Sequence, residues 1–166
     1  KMKSPNSVLA DFTTAVSKDG LIYLAFQQEH DVIILTLNKN YERINTPIEL
    51  KNYWLSEINI NEKGEIELLL GRSIDNTYIE KYPNTLYFVK LSKTGEQLFN
   101  TYLFGGKGHG PQKSWFDGRS KARLTCNGSE YGIYFEVQKN FATTGKDDIH
   151  NGDMFMVTDL NGVVKN

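Results

Sequence analysis

Residues 55–70 read Leu55-Ser56-Glu57-Ile58-Asn59-Ile60, then Asn61 and the turn Glu62-Lys63-Gly64, then Glu65-Ile66-Glu67-Leu68-Leu69-Leu70. Alternating polar and apolar residues, a glycine turn and a short apolar run together predict a β-hairpin with one heavily buried strand. The same sentence is written twice more in the chain. Thr14-Ala15-Val16 leads into Lys18-Asp19-Gly20 and the run Leu21 to Phe26, and Ala122-Arg123-Leu124-Thr125 leads into Cys126-Asn127-Gly128 and the run Tyr131 to Val137.

Working outward, each apolar run is followed by another: Asp31 to Leu37, Thr85 to Leu91, and Met154 to Val157. A second tight turn then recurs as Leu37-Asn38-Lys39-Asn40-Tyr41, Leu91-Ser92-Lys93-Thr94-Gly95 and Thr158-Asp159-Leu160-Asn161-Gly162. The last two carry glycine where a hairpin needs positive φ. A fourth segment follows each: Tyr41 to Leu50, Glu96 to Phe104, and Val163 to Asn166. No window keeps apolar residues at helical spacing between cap signals, so the expected class is all-β.

Each copy is therefore expected to be four antiparallel strands joined by hairpins, over approximately residues 11–50, 53–104 and 121–166. From Gly20 to Gly64 is 44 positions, within the roughly 40–50 residues of a β-propeller blade. By repeat architecture the chain resembles the β-propeller superfamily over nearly its whole length. The Trp-Asp dipeptide of WD40 blades and the diglycine of kelch strands are both missing, so no named propeller family is matched. The alternative is a β-sandwich of about twelve strands, which explains the strand count but not the recurring turns. Three blades do not close a ring, since propellers usually have four to eight. The resemblance implies completion by further blades in the same or another chain, and the short last segment points to a fragment.

In such a blade the tight hairpins share one end and the remaining connections share the other. All variation in length falls at that other end: Gln28 to Asp31 is short, whereas 73–84, 139–151 and 105–121 are long. Long loops on one rim of a rigid scaffold are where binding groups usually sit. In propellers that rim surrounds the channel entrance, which the resemblance suggests as the ligand site.

The most unusual stretch runs from Gly105 to Arg123. It holds Lys107, Lys113, Arg119, Lys121 and Arg123 against the single acid Asp117, with Trp115-Phe116 among them. Its glycines do not make a phosphate loop, because Gly110 is followed by Pro111-Gln112 rather than Lys-Ser/Thr, and no strand–turn–helix unit surrounds them. An aromatic platform flanked by Arg and Asp suits a sugar ring, or an acidic segment held by Arg119. The ligand-binding candidates are Trp115, Phe116, Asp117, Arg119, His109 and His150. All three histidines (His30, His109, His150) are expected in loops of this rim. Asp147, Asp148, His150 and Asp153 are dense in ligand atoms and are weak candidates for a metal, though cap-and-turn roles explain Asp148, Asn151 and Gly152 as well.

Composition removes several classes. Net charge is −1 and the pI is near 6.4, which lacks the basic field of a nucleic-acid binder. No apolar run approaches the roughly 18 residues of a membrane span. The start Lys1-Met2-Lys3-Ser4-Pro5-Asn6 lacks the apolar stretch of a signal peptide. Cys126 is the only cysteine, so an internal disulfide is excluded, and a buried thiol is expected rather than a nucleophile. Asn127-Gly128-Ser129 matches a glycosylation sequon that the glycine turn already explains.

No cofactor is implied, and neither a Gly-x-Ser-x-Gly elbow nor a His-Glu-x-x-His pair occurs. Three functions remain: a propeller-type module binding a glycan or protein segment; a glycosidase- or lyase-type enzyme using rim carboxylates (Asp75 with Glu80, Asp117 with Asp147) or a metal; and a structural piece of a larger assembly. The residues leave the compartment open, with a secreted or cell-surface setting preferred.

Overall fold

The computed structural model describes residues 12–72, 85–105, 113–116, 122–140 and 149–165. Among them there is no helix, and the strands run β1 Phe12–Val16, β2 Ile22–Gln28, β3 Asp31–Leu37, β4 Ile48–Leu50, β5 Trp54–Ile60, β6 Ile66–Arg72, β7 Thr85–Leu91, β8 Gln97–Gly105, β9 Lys113–Phe116, β10 Arg123–Cys126, β11 Glu130–Asn140 and β12 Ile149–Asp159. They form three antiparallel sheets: β1-β2-β3-β4, β5-β6-β7-β8, and β10-β11-β12 with β9 also on β11. The fourth segment of the third copy makes only the bridge Thr158–Val164 among the described residues.

The recurring turns share one chemistry. A residue with a side-chain acceptor opens each, its carbonyl accepts from the amide three residues on, and its own amide donates four residues on. Thus the Gly20, Gly64, Gly95 and Gly162 amides donate to Ser17, Asn61, Ser92 and Asp159, and that of Tyr41 donates to Asn38. Side-chain oxygens of Asn38, Asn61, Ser92 and Asp159 then take amides two and four residues further on. This closes the hairpin without help from water, which is why Asn, Ser and Asp recur there. The third copy's first turn differs. Asn127 bonds Glu130 across two central residues, Gly128 and Ser129, with positive φ only at Gly128, as in a type II′ turn. The Asn127 Oδ1 accepts from the amides of Ser129 and Glu130.

The sheets stack face to face, the second between the other two. Strand alternation splits its residues: Ile66, Leu68, Leu70 and Val89 join Tyr23, Ala25, Val32 and Ile34 of the first sheet in one core. Leu69, Leu86 and Phe88 join Tyr131, Ile133 and Phe135 of the third in the other. Because both its faces are covered, β6 is buried at every position from Ile66 to Gly71, Glu67 included, rather than at alternate ones. Burying each such side chain contributes about 1.5–3 kcal/mol. The first strands of the three sheets are successive neighbours: β1 lies beside β5 and β5 beside β10. At the second seam the Ser56 hydroxyl accepts from the Ala122 amide at 2.8 Å, and Arg123 pairs with Glu57 at 2.8 Å.

Glycine also sets how closely the sheets approach. A Cβ on Gly95 would come within 2.9 Å of Ile48 on β4, and one on Gly162 within 2.8 Å of Phe99 on β8. Each second turn thus rests its glycine on the outer strand of the sheet before it. In the first sheet the same position is Tyr41, with φ 63° and its side chain exposed.

Two sequence expectations are corrected. Cys126 is exposed rather than buried, because it ends β10 at the hairpin tip, where its sulfur accepts from the Gly128 amide at 3.4 Å. The stretch 105–121 is not loop throughout: residues 113–116 form β9 on the same edge of β11 as β10. Phe116 pairs with Val137 and Arg123 with Tyr134, so the chain uses six residues, 117–122, while β11 advances through Phe135 and Glu136 alone. β9 and β10 are one strand line with an excursion inserted.

Candidate functional site

Six tight turns gather at one end of the stack, and an ion pair joins two of them. Lys93 reaches Asp19 of the first sheet at 2.9 Å. Hydrogen bonding from Ser17, then Lys93, holds the Asp19 carboxyl below its ordinary value, and Asp19 raises Lys93 in turn. At the opposite end are the short turn Glu29-His30, the link 51–53, and the strand ends Arg72, Thr85, Gly105, Lys113, Asn140 and Ile149.

At that opposite end the structure joins some expected site residues and leaves others apart. Trp115 and Phe116 lie on β9, paired with Gln138 and Val137. β9 also lies against β7 and β8, so the pair sits where the second and third sheets meet. His150 is not in a loop as expected: β11 and β12 continue as a ladder to Asn140 and Ile149, which places His150 opposite Lys139. Lys139 also pairs with Ser114, so Trp115 and His150 fall in adjacent rows of one β9-β11-β12 ladder. His30 is in the β2–β3 turn. His109, Asp117, Arg119, Asp147 and Asp148 lie outside the described residues, as do the pairs Asp75 with Glu80 and Asp117 with Asp147.

Asp153 is exposed on β12, opposite Glu136. A hydrogen bond from the Tyr134 hydroxyl to Asp153, then burial, raises the Tyr134 phenol above its usual value. Among the described residues no three His, Cys, Asp or Glu side chains gather to hold a metal.

The same end carries an aromatic cluster that hydrophobic patterning alone does not single out. Tyr53, in the link to β5, meets Tyr87 edge-on at 6.2 Å, and Tyr87 meets Tyr102 at 5.8 Å. Asn100 donates to the Tyr53 hydroxyl at 2.8 Å, and the Arg72 guanidinium lies 5.2 Å from the Tyr53 ring centre. Gln27 holds the link in place, accepting from the Leu55 amide and donating to the Tyr53 carbonyl. Tyr102 is 47% exposed, and its hydroxyl donates to the Gly105 carbonyl at the root of the 106–112 stretch. The signal in sequence is slight: Tyr53 stands one residue before β5, Tyr87 is third in β7, and Tyr102 lies three residues before Gly105.

Beside this, Asp31 anchors the link. Burial, its largest influence, acts to raise the carboxyl, but the Asn52 amide and Lys51 together override it and hold it low. Those contacts are 3.0 Å each.

A polar cluster of a different character is sealed between the second and third sheets. Glu67 is fully buried and accepts from Asn59 at 2.8 Å, Asn61 at 3.1 Å and the Tyr131 hydroxyl. Lys90 lies 3.6 Å from Glu67 and 3.2 Å from Glu65, over the rings of Phe99 and Tyr131. The buried polar atoms of this cluster all have hydrogen-bond partners, so its chemistry is that of a fastener. Burial, then the bond to Glu67, pushes the Tyr131 phenol well above its ordinary value.

No protein-family model matches the chain, and no curated protein matches it in sequence.

Proposed function

We propose that the three sheets are consecutive blades of a β-propeller-type ring whose long-loop rim binds a glycan or an extended protein segment. The observation that carries this reading is the order of the stack. The first strands β1, β5 and β10 are successive neighbours, as around an axis, and the tight turns lie at one end while the strand ends that flank 73–84, 106–112 and 141–148 lie at the other. A rigid scaffold with its variation confined to one end is the arrangement of a binding module.

What supports a glycan as first ligand is the aromatic content there. The Tyr53, Tyr87 and Tyr102 cluster with Arg72 supplies ring faces and a charged donor, which suit a sugar, and Trp115-Phe116 stand in sequence on the nearby β9. Asp117 and Arg119 follow directly on β9 in sequence.

The test is retention of the protein on glycan and peptide arrays, with Trp115→Ala and Arg72→Ala beside the wild type. Loss of glycan retention at unchanged melting temperature supports the proposal. Retention only on peptides assigns the protein-segment ligand, and retention unaffected by both substitutions sinks the rim as the site.

A further inference from the structure

We propose that Asn127 is a self-modifying site. The Gly128 amide nitrogen closes on the Asn127 side-chain carbonyl carbon, ammonia leaves, and water opens the resulting succinimide to aspartate or isoaspartate. The inference concerns the first turn of the third sheet and is independent of any rim ligand.

Asn-Gly occurs three times in the chain, at 127–128, 151–152 and 161–162. Glycine in second place leaves the attacking nitrogen accessible, because no Cβ stands beside it. The three pairs differ in what surrounds that glycine. Asn151 and Gly152 lie within β12, opposite Gln138 and Val137 of β11, and the ladder holds their backbone extended. Asn161 and Gly162 stand in a tight turn where the Gly162 amide donates to the Asp159 carbonyl at 3.0 Å. Gly162 is also buried, and an added Cβ there would come within 2.8 Å of Phe99 and 3.0 Å of Thr101. Its backbone has no room to turn toward the preceding side chain.

At Gly128 these restraints are lifted. Asn127, Gly128 and Ser129 are all exposed, and a Cβ added to Gly128 would meet no described atom within 4 Å. The Gly128 amide donates to the Cys126 sulfur at 3.4 Å, a weaker acceptor than a carbonyl oxygen. The Asn127 Oδ1 accepts from the Ser129 amide, the Ser129 hydroxyl and the Glu130 amide, each at 2.9 Å.

These contacts match what ring closure needs. As the nitrogen–carbon bond forms, the carbonyl π electrons move onto Oδ1, and the developing charge falls among the donors of Ser129 and Glu130, as in an oxyanion hole. The Cys126 sulfur, as thiolate, is placed to take the proton that the Gly128 nitrogen gives up. Collapse of the tetrahedral carbon returns the electron pair from Oδ1 and breaks the bond to the side-chain nitrogen, which regains that proton and leaves as ammonia. Water then adds to either succinimide carbonyl and breaks its bond to the ring nitrogen. Addition at the side-chain carbonyl gives aspartate, which keeps an acceptor in the turn. Addition at the main-chain carbonyl gives isoaspartate, which lengthens the main chain by one carbon and loosens the tip of the β10–β11 hairpin.

Peptide mapping by mass spectrometry tests it, on the native 166-residue chain held at neutral to mildly alkaline pH, with fragmentation to assign each position. Asn127 should gain the mass that exchanges NH2 for OH, in both aspartate and isoaspartate forms, while Asn151 and Asn161 stay amides. Ser129→Ala and Cys126→Ala should each slow the conversion about 5-fold, the rate equivalent of one exposed hydrogen bond. Both positions are exposed, and circular dichroism confirms that the variants fold. Conversion of Asn161 as fast as Asn127 would overturn the inference, since the dipeptide and not the turn would then decide. A native Asn127 that stays an amide, or a rate that neither substitution changes, would overturn it as well.

Discussion

The hydroxyl of Tyr131, on the third sheet, donates a hydrogen bond to the carboxylate of Glu67, on the second, inside a seam where both side chains are buried. Tyr131 also packs edge-on against Phe88 at 4.9 Å. Tyr131→Phe keeps that packing and removes only the donor. Leaving the buried carboxylate short of one partner should cost about 1–3 kcal/mol in urea unfolding. An unchanged midpoint would show that the seam does not depend on this bond.

At Tyr41 the requirement is reversed. The position needs positive φ, which glycine supplies at Gly20, Gly64, Gly95 and Gly162. A left-handed non-glycine residue is strained by about 1–2 kcal/mol, part of which glycine's greater chain entropy offsets. Tyr41→Gly should therefore raise stability by about 0.5–1 kcal/mol in urea unfolding. Gly95→Ala and Gly162→Ala should lower it by more, because strain there is joined by the close contacts with Ile48 and Phe99.

Acid should loosen the stack in a defined direction. The carboxyl of Glu65 is held low by Asn61, against burial and with help from Lys90, and those of Asp19 and Asp31 are low as well. Carboxyls depressed in the folded state contribute stability that is fully present above their unfolded values, about 4, and is lost as pH falls through the folded ones. The melting temperature should therefore fall between about pH 5 and pH 2, and Glu65→Gln should flatten that slope. A slope unchanged by Glu65→Gln would remove Glu65 from the account.

Cys126 should react with a maleimide in the native protein, stoichiometrically and without denaturant, because it is exposed at a hairpin tip. Cys126→Ser should change stability by no more than about 0.5 kcal/mol, as surface substitutions do. Labelling that required urea would contradict this placement.

The strands were legible in the sequence because hairpins are local. Gly20, Gly64 and Gly95 announce their own turns, and β6 ends at Arg72 and β7 begins at Thr85 where the apolar runs predict. β9 was hidden because Lys113-Ser114-Trp115-Phe116 is four residues long and is called a strand only by its distant partner β11. Cys126 was misplaced for a related reason: residue type predicts burial on average, whereas a hairpin tip decides it by position. Of the site, composition pointed to Trp115 and Phe116. The Tyr53, Tyr87 and Tyr102 cluster depends on a link crossing from one sheet to the next, which local patterning does not encode.

The interruption between β9 and β10 gives the third sheet a docking port for new sequence. Its entry is fixed where Phe116 meets Val137 and its exit where Arg123 meets Tyr134, both on a ladder held by β12 from the other side. Whatever lies between has only to span one constant gap, and lengthening it costs little closure entropy. Residues 117–121 can thus be exchanged wholesale while the scaffold's pairing register stays the same.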